Sequence, residues 1–187
     1  MNFVDEYKTE LRSTLDRIDT GKVQQAIEWF RDARDHGRHI FVCGNGGSAS
    51  TASHFACDIV KGASFNRDKR FRILALTDSL PTLTAYSNDV SYDCVFAEQL
   101  RNFAEPGDLF MAISTSGNSP NVLRAIECAT TAGCRTIALT GRDGGKLGPL
   151  AHLNIQVDVP HTGRIEDAHM IVCHMIGYYF METHDTP

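Results

Sequence analysis

The sequence lacks the features that mark membrane-bound, secreted and nucleic-acid-binding proteins. No apolar stretch approaches the roughly 20 residues that a membrane-spanning helix needs. The first ten residues, MNFVDEYKTE, carry acids where a signal peptide has a basic start and an apolar segment. Basic runs are absent, and 18 basic against 23 acidic residues give a formal net charge of −5. We therefore expect a cytoplasmic protein that binds neither nucleic acid nor a membrane.

Disulfide and zinc-ribbon patterns are absent as well. The six cysteines are scattered singly, mostly in apolar segments, and none pairs with another at CxxC spacing. We expect reduced, packed thiols. The remaining composition is that of an ordinary globular protein, with 42% hydrophobic and 22% charged residues in a chain of 187. This length predicts one domain, with at most an appended element.

The first 37 residues predict two helices that end at Gly37. Apolar side chains recur there at steps of three and four residues, at Val4, Tyr7, Leu11, Leu15 and Ile18 and again at Val23, Ile27, Phe30 and Ala33. We interpret residues 1–37 as an N-terminal extension whose apolar stripes serve oligomerisation. The alternative is an extra helical layer within one subunit.

From His39 onward, short apolar runs alternate with helical stretches. The runs span 39–43, 72–77, 109–113, 136–139 and 154–157, and the helices lie near 49–62, 92–104, 119–132 and 164–182. Nearly continuous apolar runs are typical of parallel strands that are covered on both faces. The pattern over residues 38–187 predicts an α/β fold. We expect a three-layer αβα sandwich with a doubly wound, parallel, five-stranded sheet of Rossmann-like or flavodoxin-like type.

The turn after the first predicted strand is rich in glycine. The segment Gly44–Ser50 reads GNGGSAS, in which the glycines let a ligand approach the backbone and the following helix N-terminus favours an anion. Two alternatives are a purely structural tight turn and a dinucleotide-binding fingerprint that ends at Ala49. A P-loop is excluded because no GK[ST] follows.

The turn after the third predicted strand carries three consecutive hydroxyls. The segment Ser114–Pro120 reads STSGNSP, and Ser119 followed by Pro120 fits a helix N-cap. That explanation leaves the other hydroxyls unused, and hydroxyls beside free backbone N–H groups suit a phosphate monoester. Two such turns favour a phosphorylated sugar over a dinucleotide, and we expect no nucleotide cofactor. A nicotinamide-dependent oxidoreductase, with Asp78 as its ribose-binding acid, leaves the serine-rich turn unexplained.

Residues suited to acid–base chemistry or metal binding lie on two predicted helices. His54 and Asp58 are four residues apart and share a face. Glu166 and His174 are eight apart, about 80° around a helix axis, so that both can border one cleft. His169 lies on the other side of Glu166 and either approaches the same site or packs in the core. Two imidazoles and two carboxylates suit proton transfer or a zinc or other divalent metal site.

Three segments together resemble the SIS (sugar isomerase) domain family and, more narrowly, the phosphoheptose isomerases. They are Cys43–Ser48, Ser114–Ser119 and Leu139–Gly145, and the resemblance extends over nearly the whole chain. It implies an aldose–ketose isomerase that converts sedoheptulose 7-phosphate to D-glycero-D-manno-heptose 7-phosphate through an enediol. It further implies a homotetramer with active sites between subunits. The alternative is a non-catalytic SIS protein that binds a phosphosugar or a replication-initiator protein.

The resemblance also implies roles for individual residues. Asp58 and His174 take the positions of the catalytic carboxylate and imidazole, and their retention favours an enzyme. Metal-containing members imply zinc ligands at His54, Asp58, Glu166 and His174. The implied substrate contacts are Asn45, Gly46, Gly47, Ser48, Asn88, Asp89, Ser114, Thr115, Ser116, Ser119 and Glu166.

This chain departs from the family pattern at three positions, two of them among the residues just named and one close to Asp58. Asp58 stands where the family has glutamate, and Glu166 stands where it has glutamine. Glu166 could therefore serve as the catalytic base while Asp58 orients or ligates. Gly62 stands where the family has arginine, and Lys61 beside it is the alternative source of positive charge.

Overall fold

The computed structural model describes residues 2–183, in which helices flank one parallel sheet. The five strands are β1 (His39–Gly44), β2 (Arg72–Ala75), β3 (Leu109–Ser114), β4 (Arg135–Gly141) and β5 (Leu153–Val157). The helices are α1 (Phe3–Asp16), α2 (Thr20–Asp35), α3 (Gly47–Cys57), α4 (Leu80–Asp89), α5 (Val95–Phe103), α6 (Pro120–Thr131), α7 (Leu147–Leu150) and α8 (Thr162–Glu182). A π-helical turn at Asp58–Gly62 continues α3, and a 3₁₀ turn at Tyr92–Cys94 precedes α5.

The strand order places the two unusual turns side by side. The sheet runs β2-β1-β3-β4-β5 with every neighbouring pair parallel, which confirms the predicted doubly wound sheet and identifies it as the flavodoxin-like order. Gly44 pairs with Ile113, and Ser114 pairs with Thr140. The turns after β1 and β3 therefore leave the same edge at the point where the strand order reverses, which is where such sheets bind ligands.

Both faces of the sheet are covered by apolar helices. All six residues of β3 are buried, as expected for a strand packed on two sides. One face packs against α2, α3 and α8 through Phe30, Phe55 and Val172. The opposite face packs against α5 and α6 through Phe96 and Ile126. The predicted three-layer sandwich is thus confirmed, with a layer of helices on each face of the sheet.

The two N-terminal helices pack differently. The apolar stripe of α2 belongs to the core, where Phe30 is fully buried. Helix α1 contacts α8 through polar groups, since Tyr7 donates to Asp167 at 2.7 Å, and it leaves Phe3 and Val4 exposed. The division at residue 37 and an assembly role for the two N-terminal helices stay predictions. Residues 1 and 184–187 lie outside the described residues.

Three segments differ from the sequence pattern. The four-residue helix α7 was not among the predicted helices. Helix α4 was not predicted, because none of its residues is buried and a helix without a buried face shows no apolar period. The helix predicted over 49–62 begins at Gly47 and changes at Asp58 to the π-helical turn, in which the Ala63 N–H donates to the Asp58 carbonyl five residues back.

His169 packs in the core between α8 and β4. Its side chain is 1% exposed, and its Nε2 lies 3.0 Å from the carbonyl oxygen of Thr140. A carbonyl only accepts, so Nε2 carries the proton and Nδ1 is left without a partner among the described residues. Burial lowers the pKa of His169 from 6.5 to about 4, although the hydrogen bond to Thr140 acts in the opposite direction.

We predict that His169 makes the fold sensitive to acid. The unfolded chain takes up a proton on His169 below about pH 6.5, whereas the folded chain resists this uptake until about pH 4. The free energy of unfolding should therefore fall with decreasing pH through this window, by up to about 3 kcal/mol from this residue. Urea unfolding of the wild type and of His169→Gln, which keeps an N–H donor, measures the contribution. Parallel pH profiles for the two proteins would contradict it.

Candidate active site

The glycine turn after β1 holds the carboxylate of Glu166 against its backbone. Gly46 has φ of +53° and is the N-cap of α3, a conformation that favours glycine. A Cβ at Gly47 would lie 2.9 Å from Cδ of Glu166, so only glycine leaves room for this carboxylate. Glu166 consequently lies at the N-terminus of α3, where unpaired N–H groups favour negative charge.

Glu166 lies on α8, and a second contact between α3 and α8 brings together two imidazoles and a carboxylate. Nε2 of His54 lies 3.1 Å from Nε2 of His174 and 3.2 Å from Oδ2 of Asp58. Nε2 of His174 lies 3.8 Å from the same Asp58 oxygen. Because Gly47 meets Glu166 and His54 meets His174, α3 and α8 run parallel and are in contact at two levels. The two contacts are about 11 Å apart along α3, for seven residues.

The three ligand atoms of this cluster suit a divalent metal. Ligands at about 2.0–2.1 Å from a tetrahedral zinc ion lie about 3.3 Å from one another, and the separations here are 3.1, 3.2 and 3.8 Å. His54, Asp58 and His174 are 50%, 25% and 40% exposed, so an ion can reach them from solvent. Glu166 does not belong to this close group, and its role as a metal ligand stays a prediction.

The serine-rich turn after β3 keeps several hydroxyls available. Oγ of Ser114 accepts from the Gly117 N–H at 3.1 Å, and Oγ of Ser116 accepts from the Asn118 N–H at 3.2 Å. Ser119 is the N-cap of α6, as predicted, but its hydroxyl makes no capping hydrogen bond. Partly buried hydroxyls beside the first turn of a helix suit a phosphate group.

The turn after β4 supports the serine-rich turn. The Leu147 N–H donates to the Gly117 carbonyl at 2.9 Å, and the Lys146 N–H donates to Oδ1 of Asn118 at 3.2 Å. Gly145 approaches so closely that a Cβ there would lie 2.7 Å from the same Gly117 oxygen. This contact gives the third segment of the resemblance, Leu139–Gly145, a structural role.

Asn45 takes part in a hydrogen-bond network that the sequence did not predict. Its amide pairs reciprocally with that of Asn121, with N···O distances of 2.8 and 2.9 Å, and its Oδ1 also accepts from the Tyr92 hydroxyl at 2.8 Å. Sequence reasoning missed Asn121 and Tyr92 because neither belongs to a motif. The only available signal was the position of Asn121 directly after Pro120 in the first turn of a helix.

The remaining predicted residues lie at the rim of this region or away from it. Ser48 is buried in the first turn of α3. Asn88 and Asp89 are exposed at the end of α4, where Asn88 donates to Asp89 at 2.8 Å, and no bond within the described chain joins them to the other predicted site residues. A Cβ at Gly62 would lie 2.7 Å from Sδ of Met181, so a larger residue at this position requires the Met181 side chain to move, and Lys61 is exposed.

The described helices include none with the length and apolar character needed to cross a bilayer.

In the comparison with protein families, residues 6–141 match the SIS domain. A probable phosphoheptose isomerase of Thermoplasma volcanium is 46% identical over 159 residues, which are 85% of this chain and 81% of that protein. The phosphoheptose isomerase of Geobacter sulfurreducens is 38% identical over 180 residues, covering 92% of this chain and 94% of the relative.

Solved structures agree with the sequence relatives. Phosphoheptose isomerase GmhA from Neisseria gonorrhoeae superposes with a TM-score of 0.88 at 33% identity, covering 96% of this chain and 97% of that chain. A phosphoheptose isomerase from Francisella tularensis gives a TM-score of 0.87 at 26% identity, covering 98% and 100%. The sequence resemblance is thereby confirmed: the chain belongs to the SIS domain family and, within it, to the phosphoheptose isomerases.

Proposed function

We propose that this protein converts sedoheptulose 7-phosphate to D-glycero-D-manno-heptose 7-phosphate. The observation that carries the proposal is the double contact between α3 and α8, which places acid–base side chains at two levels of one helix pair, the first of them at the glycine turn. The hydroxyls of the neighbouring serine-rich turn are suited to the phosphate. The open-chain sugar would then extend along this helix pair toward His54 and His174. Family membership supports the same activity.

The reaction needs a base and a proton carrier but no external oxidant or reductant. The base removes a proton from C1 of the open-chain ketose, the released electron pair forms the C1–C2 double bond, and O2 takes up a proton. The enediol then loses the O1 proton as the C1 carbonyl forms, and C2 is protonated. A carboxylate and an imidazole within hydrogen-bond reach of these atoms are sufficient for all four transfers.

We assign the carbon base to Glu166 and the oxygen proton transfers to His174. Asp58 is engaged by two imidazoles, at 3.2 Å from His54 and 3.8 Å from His174. Glu166 stands apart from that cluster, with its carboxylate over Gly47 in the glycine turn. Asp58 stands where the family has glutamate, and Glu166 stands where it has glutamine. These two differences agree with Glu166 as the base in place of the residue at position 58.

His54, Asp58 and His174 would hold zinc or another divalent ion. When bound, such an ion polarises the substrate carbonyl and stabilises negative charge on the enediolate oxygens. Two neutral imidazoles and one carboxylate form a borderline donor set that suits zinc.

We predict that His174→Ala lowers kcat at least a hundredfold, because it removes the proton carrier for the oxygens. KM should stay within about threefold, because the phosphate is bound at the serine-rich turn. The measurement is aldose formation from sedoheptulose 7-phosphate. His36→Ala, which changes an exposed histidine on the surface after α2, is the matched control. Full activity of His174→Ala would remove His174 from the mechanism, and no aldose from the wild type would overturn the proposed function.

A matched pair of substitutions tests the assignment of the base. Glu166→Gln and Asp58→Asn each replace one carboxylate by an amide of the same shape. We predict that Glu166→Gln lowers kcat at least a hundredfold, because an amide cannot accept the C1 proton. The loss in Asp58→Asn should be restored in part by excess zinc. Kinetics with and without added zinc measure both effects, and the reverse pattern would assign the base to Asp58.

We predict further that the metal-free protein binds one zinc ion per chain. His54→Ala and Asp58→Asn should weaken zinc binding more than tenfold, because each removes a ligand. Calorimetric titration with zinc alone measures this without substrate. His36→Ala again serves as the control. Equal affinities in all four proteins would contradict the assignment of the cluster as a metal site.

A further inference from the structure

We propose that Asn121 and Tyr92 are positioning residues that fix the Asn45 side chain as a hydrogen-bond donor toward the sugar phosphate. The inference concerns the same site and therefore rests on the proposed function for its substrate. It assigns roles to two residues outside the three motif segments. It also determines which kind of substrate atom Asn45 can contact.

The three side chains come from different parts of the chain and meet beside the glycine turn and the serine-rich turn. Asn45 lies in the glycine turn after β1, and Asn121 lies in the first turn of α6, directly after the serine-rich turn. Their amides exchange two hydrogen bonds, Asn45 Nδ2 to Asn121 Oδ1 at 2.8 Å and Asn121 Nδ2 to Asn45 Oδ1 at 2.9 Å. Tyr92, from the 3₁₀ turn before α5, donates its hydroxyl proton to Asn45 Oδ1 at 2.8 Å.

A backbone group fixes the direction of every bond in this network. The Val122 N–H, which also donates to the Ser119 carbonyl at 3.1 Å, lies 3.0 Å from one end of the Asn121 amide, and a backbone N–H can only donate. That end of Asn121 is therefore the oxygen, and the other end is the NH₂ group. The Asn45 atom that faces this NH₂ group must be Oδ1, so the Tyr92 hydroxyl donates to it.

The hydrogen-bonding capacity of Asn45 is then almost used up. Its Oδ1 accepts two hydrogen bonds, from Asn121 and Tyr92, which is the full capacity of an amide oxygen. One of the two Nδ2 protons is donated to Asn121. Among the residues that the structure describes, no acceptor takes the second. A substrate oxygen that meets Asn45 must therefore accept this proton, and Asn45 cannot accept from a sugar hydroxyl.

Burial makes the arrangement rigid. Asn121 is 1% exposed, so breaking the amide pair would leave buried polar groups without partners, which is costly. The pair also ties the glycine turn to the serine-rich turn across 76 residues of sequence. Tyr92 is 52% exposed, so its hydroxyl can be removed with little effect on packing.

A double-mutant cycle tests whether Tyr92 acts through Asn45. We expect Tyr92→Phe to raise KM for sedoheptulose 7-phosphate about fivefold, the usual value of one hydrogen bond, with kcat within twofold. In the Asn45→Ala background, Tyr92→Phe should change KM less than twofold. Tyr179→Phe, which removes a hydroxyl that bonds to Arg31 in another part of the protein, should leave both constants unchanged. An equal rise of KM in both backgrounds, or a rise in neither, would overturn the inference.

Hydrogen exchange of the side-chain amide separates this inference from the proposed function, because it needs no ligand. In ¹⁵N spectra of the free protein, one Nδ2 proton of Asn45 should exchange at least tenfold more slowly than a free amide proton. Asn121→Ala should remove this protection, because it removes the acceptor of that proton. Tyr92→Phe, which leaves the amide pair in place, and Tyr179→Phe should both keep it. An unprotected Asn45 amide in the wild type would overturn the inference even if the enzyme is active. An inactive wild type with a protected amide would overturn only the proposed substrate.

Discussion

The parallel packing of α3 against α8 is the constraint on which the site depends. Both helices leave the carboxyl edge of the sheet, and they touch at two levels, Glu166 over Gly47 and His174 against His54. The first contact exists because Gly47 has no side chain, so a glycine in the turn serves close approach as well as chain reversal. If either helix were rotated, the two carboxylates and two imidazoles would no longer lie along the same helix pair.

The two ends of the α3–α8 contact differ in their surroundings. The end with the glycine turn and the serine-rich turn is supported on both sides, by the Asn45–Asn121 amide pair and by the turn after β4, whose Leu147 N–H bonds to Gly117. The end with His54 and His174 is partly open to solvent. This arrangement suits a substrate that is anchored by its phosphate while protons move between Glu166 and His174, and it agrees with membership of the phosphoheptose isomerases.

The sequence predicted most of the sheet, because buried parallel strands are nearly continuous apolar runs. It also predicted the glycine turn and the serine-rich turn, because both carry distinctive residues. It also predicted that His54 and Asp58 share a helix face, since that is a local spacing. Contacts between distant segments could not be predicted. The Asn45–Asn121 pair depends on strand order. The burial of α2 depends on which side of the sheet α8 leaves uncovered, and α4 has no buried face to produce a pattern.

A crystal structure with bound sedoheptulose 7-phosphate tests the central claim most directly. The account predicts the phosphate oxygens at about 3 Å from the hydroxyls of the serine-rich turn. C1 and C2 should lie between Glu166 and His174. A phosphate bound outside that turn, or a sugar whose C1 and C2 are beyond the reach of both side chains, would contradict the account.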